Sequence, residues 1–466
     1  MILNRKILFL TVLLIAVLAT FGFAKNEVSI TYVDGMVNVQ TIISRYIFNC
    51  EKAAVNEIYL TMEAERKIFV DGGDGYNITV DGEHPTVEKI MLNGEPIEDI
   101  IGKTEKIDDD IILEFDFGEF SQIYTIHNGP YYELDVQIKG TIPENALLTL
   151  PRVGDQTFDR VNENGSILTS YNQKYQSLVV TEIMSKGTNF RLDGSKNVNT
   201  IGVPYDGLQL KGYVGPVRKM TYMNHLFPDN YIWLSRLISG YPGASDWWDP
   251  IQYIFIALFD WLFNLTKNYG WAIILFGLIV KTALYPLNHA QTSSMIKRRK
   301  LENDPEYKKI MKITDKQKQQ MAMMKFYKEK KVSLAGGCLP ILVQFPLIML
   351  LYNVVRYQYE LFAYGPDFLF WTNMAVGGFA ENILLVIISM GVSFFTSLLT
   401  SAEPKMVKQG MFVMFMPILF IGLPTALQLY WVTQSVYQLI ATYIVYKRND
   451  VHGVKVKDFI DSFKKQ

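Results

Sequence analysis

The stretch WAIILFGLIVKTALYPL, residues 271–287, poses the question that decides the fold: an apolar run is interrupted by a lysine, Lys281, and continues beyond it. A run of this length just crosses the hydrocarbon of a bilayer. A lysine near the middle of such a span costs about 2.5–3.5 kcal/mol on insertion scales. Two explanations are open. The side chain snorkels to the headgroups past Pro286 and His289, or it faces a water-filled cavity enclosed by several spans.

Four further apolar runs follow, at 339–357, 382–400, 407–423 and 425–446. Charge orders them. The whole chain has 45 Lys and Arg against 46 Asp and Glu, yet residues 25–250 carry 19 against 33 and residues 289–337 carry 13 against 5. By the positive-inside rule the basic segment is cytoplasmic. The connection 358–381, with Glu360, Asp367 and Glu381 and no Lys or Arg, is outside, and the basic tail 447–466 is inside. Residues 1–24 pair Arg5 and Lys6 with an apolar run, which reads equally as a cleaved signal or a retained anchor span. A retained anchor gives six spans with both termini cytoplasmic.

Residues 25–245 read as a soluble, all-β, sandwich-like extracytoplasmic domain. Short runs such as 28–33, 58–62 and 76–80 alternate with period two, and Asp34-Gly35, Asp81-Gly82 and Asn93-Gly94 mark turns between strands. His84, His127 and His225 stand singly and suggest surface or core positions, and Cys50 and Cys338 suggest neither a disulfide nor a metal site. Asp249-Pro250 is a helix start. The segment 246–268, apolar except for Gln252, Asp260 and Asn264 on one face, reads as an interfacial amphipathic helix.

Two polar stripes accompany Lys281. Gln428, Trp431, Gln434, Ser435, Gln438 and Thr442 share a face of the last span, and Ser389, Ser393, Thr396, Ser397 and Thr400 share a face of the third. A single stripe is compatible with interhelical hydrogen bonding; two stripes and a lysine suggest a hydrated groove. None of the five spans has Asp or Glu in its interior, so the cation awaits a visiting negative charge. The fourth span is short and holds Pro417, which suits local thinning of the bilayer. The segment 289–337 reads as a helical hairpin rich in Lys and Met, with Gly336-Gly337 as a hinge. Met side chains suit surfaces that accept varied apolar partners.

These residues also carry a resemblance. Residues 279–291, IVKTALYPLNHAQ, resemble the first core span of the YidC-type membrane protein insertases. Residues 336–346, GGCLPILVQFP, resemble that family's second core span, and Phe415-Met416-Pro417 with Leu429-Tyr430-Trp431 resemble the last two. The resemblance covers about 250–447. It implies an α-helical polytopic membrane protein: a five-helix insertase core at 269–446, preceded by an N-terminal anchor and the β-sandwich-like domain. It implies a groove open to cytoplasm and lipid and lined by Lys281, Gln344, Ser393, Ser397, Tyr430, Trp431, Gln434 and Gln438. The cytoplasmic hairpin would receive clients through Lys297, Arg298, Arg299, Met323 and Met324. Lys281 stands where many members carry arginine, keeping the charge without the bidentate fork.

The implied setting is a bacterial inner membrane. The implied partners are nascent membrane proteins, the bilayer, a Sec-type translocation channel, and a ribosome or targeting factor, with no sequence-specific nucleic acid. No cofactor or metal is expected. The sequence shows no Walker-type phosphate loop and none of the hydrolase motifs Gly-x-Ser-x-Gly or His-Glu-x-x-His. An enzyme is therefore not expected. A secondary transporter using Lys281 as a substrate or proton site is the alternative, against which stands the lack of a visible repeat.

Overall fold

The structure is a computed structural model. It describes residues 28–61, 66–67, 75–97, 110–151, 157–174, 176–190, 200–242, 249–286, 289, 292–293, 296–297, 301, 304–330 and 339–464. The expected N-terminal span, Arg298, Arg299 and the Gly336-Gly337 hinge lie outside the described residues, as does the side chain of Gln344. The chain divides into two compact units, meeting in sequence at Asp249 and Pro250.

The first unit is built of antiparallel sheets. The largest has nine strands, in spatial order Thr157–Val161, Ile167–Asn172, Ser177–Ile183, Leu208–Pro216, Leu134–Gly140, Phe120–Ile126, Ile111–Asp116, Lys89–Leu92 and Glu95–Pro96. A five-stranded sheet runs Ser29–Val33, Met36–Gln40, Ser44–Asn49, Ala54–Leu60 and Arg66–Lys67, and a three-stranded one Thr200–Gly202, Ala146–Thr149 and Asn77–Val80. The turn dipeptides work as their chemistry requires. Asp34-Gly35, Asp81-Gly82 and Asn93-Gly94 all have positive φ, the conformation that two-residue hairpins need.

Alternation puts one face of most strands inside: Ile111, Leu113 and Phe115 are buried while Ile112 is exposed. Tyr124 joins the sheets. Its ring meets Phe48 edge-on at 4.9 Å and Phe115 at 5.9 Å, and its hydroxyl donates to the Ala53 carbonyl at 2.7 Å. The strand Ile167–Asn172 is buried on both faces. One cover is the segment after two short helices, α1 (Met220–Leu226) and α2 (Tyr231–Ser239), where Tyr241 stacks on Tyr171 at 4.3 Å.

One histidine, part-exposed at the surface, has close partners that its isolation in the sequence did not show. His127 lies between two carboxylates, with Nδ1 2.8 Å from Asp110 Oδ2 and Nε2 3.2 Å from Asp135 Oδ2. The hydrogen bond to Asp135 outweighs desolvation, and with the nearby charges of Glu133, Asp110 and Asp135 it raises the pKa from 6.5 to about 9. A group raised on folding stabilises fully below its unfolded pKa and ceases to do so as pH climbs through the folded value. The unfolding free energy of the β unit should therefore fall between pH 6.5 and about 9, by about 1–2 kcal/mol after screening. His127→Asn should flatten that slope. Parallel pH curves for the two proteins in thermal unfolding would sink the assignment.

The second unit is helical. α3 (Asp249–Thr266) buries Ile256, Phe259 and Leu262 and leaves Ile254, Trp261 and Leu265 exposed. α4 (Tyr269–Ala283) starts at Asn268, whose side chain accepts from the Gly270 and Trp271 amides. α5 (Pro305–Met311) and α6 (Lys316–Glu329) form the hairpin, capped by Asp304 and Asp315. α7 (Leu339–Tyr357), α8 (Tyr359–Tyr364) and α9 (Phe379–Thr400) follow. Next come α10 (Pro404–Met414), α11 (Met416–Leu419), α12 (Thr425–Arg448) and α13 (Val456–Lys464).

Two expected spans differ in extent. Residues 271–287 were expected as one helix, whereas α4 ends at Ala283, shortly before Pro286, which has no amide hydrogen to continue the ladder. The expected 407–423 span is broken at Phe415 into α10 and α11, with Pro417 opening the second piece. Among the described residues, Phe379–Thr400 is the one helix both long and apolar enough to cross a membrane by composition. Tyr269–Ala283 and Phe345–Tyr357 are apolar but shorter. α12 has the length, 24 residues, but carries Gln428, Gln434 and Gln438 along it.

Candidate functional site

The site is assembled along the seam between α4 and α12. Gln434 donates through Nε2 to the Gly277 carbonyl at 2.8 Å, and Lys281 Nζ donates to Gln438 Oε1 at 3.4 Å. Both contacts have the same separation in sequence, 157 residues, so each rung advances four residues on both helices. That constant offset is the signature of helices running side by side in the same direction. Gly277 permits the close approach: a Cβ there would lie 3.1 Å from Thr433 Cγ2. One turn earlier Phe276 meets Tyr430, with ring centroids 5.9 Å apart.

Lys281 is 6% exposed. Among the described residues no carboxylate pairs with it; its hydrogen-bond partner is the neutral carboxamide of Gln438, which in turn donates to Thr442 Oγ1 at 3.2 Å. A polar acceptor without charge solvates an ammonium but leaves the field uncompensated, so an anion approaching the seam is attracted. On α9 and α12, Ser389 Oγ and Tyr430 Oη are buried with no hydrogen-bond partner among the described residues. Buried hydroxyls are seldom left unsatisfied, and water is the usual partner when protein is not.

The expected groove residues divide. Lys281, Tyr430, Gln434 and Gln438 come together at the α4–α12 seam. Gln434 is buried there with its amide group committed to Gly277, so it fastens two helices as well as lending polarity. Trp431 faces α11, with its ring 5.3 Å from Phe420. Ser397 lies against α10, where a Cβ on Gly410 would be 3.3 Å from its Oγ. Ser393 is half-buried on α9. Two hydroxyls of that stripe, Thr396 and Thr400, bond to their own helix at 2.8 and 2.9 Å. In the hairpin, Lys297 and Met324 are exposed, while Met323 is half-buried against Ile310, Phe326 and Tyr327. Met323 therefore serves the hairpin's own core more than its outer face.

A second polar cluster takes up Gln428, expected on the polar stripe of the last span but buried and bonded elsewhere, together with Asn382, which the sequence did not single out. Pro424 has no N–H to offer the Phe420 carbonyl, which accepts from Leu423 N at 3.0 Å in a tight turn, and the Ile421 and Leu423 carbonyls are left for side chains to satisfy. Gln428 Nε2 donates to Phe420 O, and Asn382 Nδ2 donates to both Ile421 O and Leu423 O at 2.7 Å. The start of α12 is pinned further, with Thr425 N donating to Val376 O and Ala426 N to Met374 O. The available signal was a lone Asn beside an apolar run and a proline ending the neighbouring one. Asp260 is comparable: on α3 it accepts from Gln358 Nε2 at 2.6 Å instead of serving only as part of a solvated face.

Comparison with known proteins identifies the architecture. A family model described as 60Kd inner membrane protein matches residues 261–452. The membrane protein insertase YidC of Thermotoga maritima is 35% identical over 461 residues, 97% of this chain and 98% of the relative. The chain belongs to the YidC family. The YidC of Pseudoalteromonas atlantica is 35% identical over 245 residues, 50% of this chain and 44% of that protein. Among solved structures, an active YidC insertase with its first transmembrane domain resolved superposes with a TM-score of 0.77 at 34% identity, covering 95% of this chain and 99% of that one. The YidC crystal structure from Thermotoga maritima gives 0.64 at 28% identity, covering 90% and 100%. The β-rich first unit and helical second unit are thus those of the YidC fold, and the chain is an inner-membrane protein of that family.

Proposed function

We propose that this chain is a membrane protein insertase and chaperone that takes nascent hydrophobic segments into a hydrated groove and releases them sideways into the bilayer. The observation that carries the groove is Lys281, buried against Gln438 with no carboxylate partner among the described residues. A client that translocates an acidic tail supplies the transient counter-charge. The break of α10 and α11 at Phe415 shortens the hydrocarbon path beside it. The client then leaves by partitioning into lipid, which needs no nucleotide.

In this reading the helical unit spans the inner membrane several times, with the β unit outside and the hairpin and C-terminal tail in the cytoplasm. The exposed methionines Met311, Met321 and Met324, interspersed with lysines, give the hairpin a surface suited to apolar segments of varied shape. A Sec-type channel and a ribosome or targeting factor are the proposed partners.

Insertion of a single-span client into liposomes containing only this protein tests the reading. Protease protection of the translocated tail should rise by about a hundredfold over empty liposomes, the factor that corresponds to about 3 kcal/mol. Solute or ion flux without any gain in protection would instead support a transporter built around Lys281.

A further inference from the structure

Beside the seam, on another face of the same two helices, lies a cleft of about 690 Å³. Its walls are one stripe of α4, with Ile274 and Leu278, and one stripe of α12 running from Leu429 through Val436 and Ile440 to Ile444. No glutamine of the ladder lines it. At one end the lining changes character to Tyr285, His289, Arg448 and Asn449, and no Asp or Glu lines any part of it. Among the described residues no carboxylate pairs with Arg448, and His289 is met by the Tyr285 ring at 5.7 Å.

An apolar cleft ending in an uncompensated guanidinium selects a ligand with the opposite layout, acyl chains joined to an anionic head. Basic pockets between spans at the cytoplasmic face have this preference as a class. The guanidinium also offers planar paired donors to phosphate oxygens. We infer that the α4–α12 cleft binds an anionic phospholipid of the cytoplasmic leaflet, its phosphate held by Arg448 with His289 and its chains lying along Leu278, Ile440 and Ile444. Charge argues against the chain's own first apolar segment as the occupant. Arg5 and Lys6 precede that segment and would come to the same basic mouth. The inference rests on the membrane placement proposed above but not on insertase activity.

The test uses the full-length protein in mild detergent and native mass spectrometry with phosphatidylglycerol or phosphatidylcholine of identical chains. Wild type should retain the anionic lipid at least about fivefold better, the factor that corresponds to about 1 kcal/mol for one basic residue at a membrane surface. Arg448→Gln with His289→Gln should abolish the preference while leaving the weaker retention of phosphatidylcholine. Ala441→Trp, which fills the cleft, should lower retention of both lipids, and each variant's melting temperature reports whether it has folded. Equal retention of the two lipids by wild type would overturn the inference, as would an unchanged preference in the folded double variant. A high-yield disulfide between Ile440→Cys and a cysteine placed at Leu13, in protein that has lost the lipid preference, would assign the cleft to the N-terminal segment instead.

Discussion

Lys281→Glu is expected to reduce insertion of a client with an acidic translocated tail by about a hundredfold, to the level of empty liposomes. Hydrogen bonds to a charged group are worth about 1.5–3 kcal/mol, which is roughly ten- to a hundredfold in rate or occupancy. Lys281→Ala removes the attraction and should cost about tenfold on that scale. Lys281→Glu adds repulsion to the same loss and also sets a carboxylate against Gln438 Oε1, itself an acceptor. Lys281→Arg keeps the charge and should retain most activity. The informative control is a client with an uncharged tail, for which Lys281→Ala should insert within about twofold of wild type if the lysine acts by attracting charge. Equal insertion of the acidic-tailed client by all three variants would remove Lys281 from the mechanism. A loss that is independent of tail charge would make it a structural residue of the seam.

Gly270→Ala should be the most disruptive added methyl group among the described glycines of the helical unit. A Cβ at this position would lie 2.0 Å from Phe368 Cγ and 2.1 Å from Cδ2, far inside contact distance. The ring has little freedom to retreat. It is stacked against Trp371 at 6.0 Å and meets Trp271 at 5.5 Å, its backbone exchanges hydrogen bonds with Trp371, and the Trp371 indole donates to Glu381 O. Overpacking of this kind costs about 1–3 kcal/mol, a fall in melting temperature of roughly 3–10 °C for a unit of this size. Phe368→Ala in the Gly270→Ala background should recover part of the loss, a coupling that a double-mutant cycle measures. A wild-type melting temperature for Gly270→Ala in detergent would show that the loop yields freely.

Much of the architecture was legible because its signals are local. Apolar run length located the helices, and period-two alternation with Asp-Gly and Asn-Gly turns located the strands. Details that were not legible have nameable reasons. The stripe of hydroxyls on α9 suggested one wet face, and periodicity did not register that Thr396 and Thr400 also donate to their own helix's carbonyls, an option that every helical threonine has. Met323 looked like Met324 in sequence, yet a rotation of about 100° on the helix sets one against Phe326 and Tyr327 and leaves the other outside. His127 looked solitary because Asp110 and Asp135 reach it only through strand pairing: Thr125 pairs with Asp135 on one side and Ile126 with Ile111 on the other.

Lys281 shows where the division falls. The sequence by itself determined that a cation interrupts an apolar run, that no acid within the apolar runs answers it, and that its surroundings resemble a YidC core span. These follow from composition and transfer energy, which depend on the residue and its immediate neighbours. Only the tertiary structure decided that Gln438 accepts from it, that Gln434 grips Gly277 one rung away, and that Asn382 and Gln428 hold the broken carbonyls before Pro424. Both seam hydrogen bonds join residues 157 positions apart, and side-chain hydrogen bonds at that range are set by which helix faces meet. A pattern read along one helix says that a face is polar; which backbone it will meet is decided when the neighbouring helix packs against it.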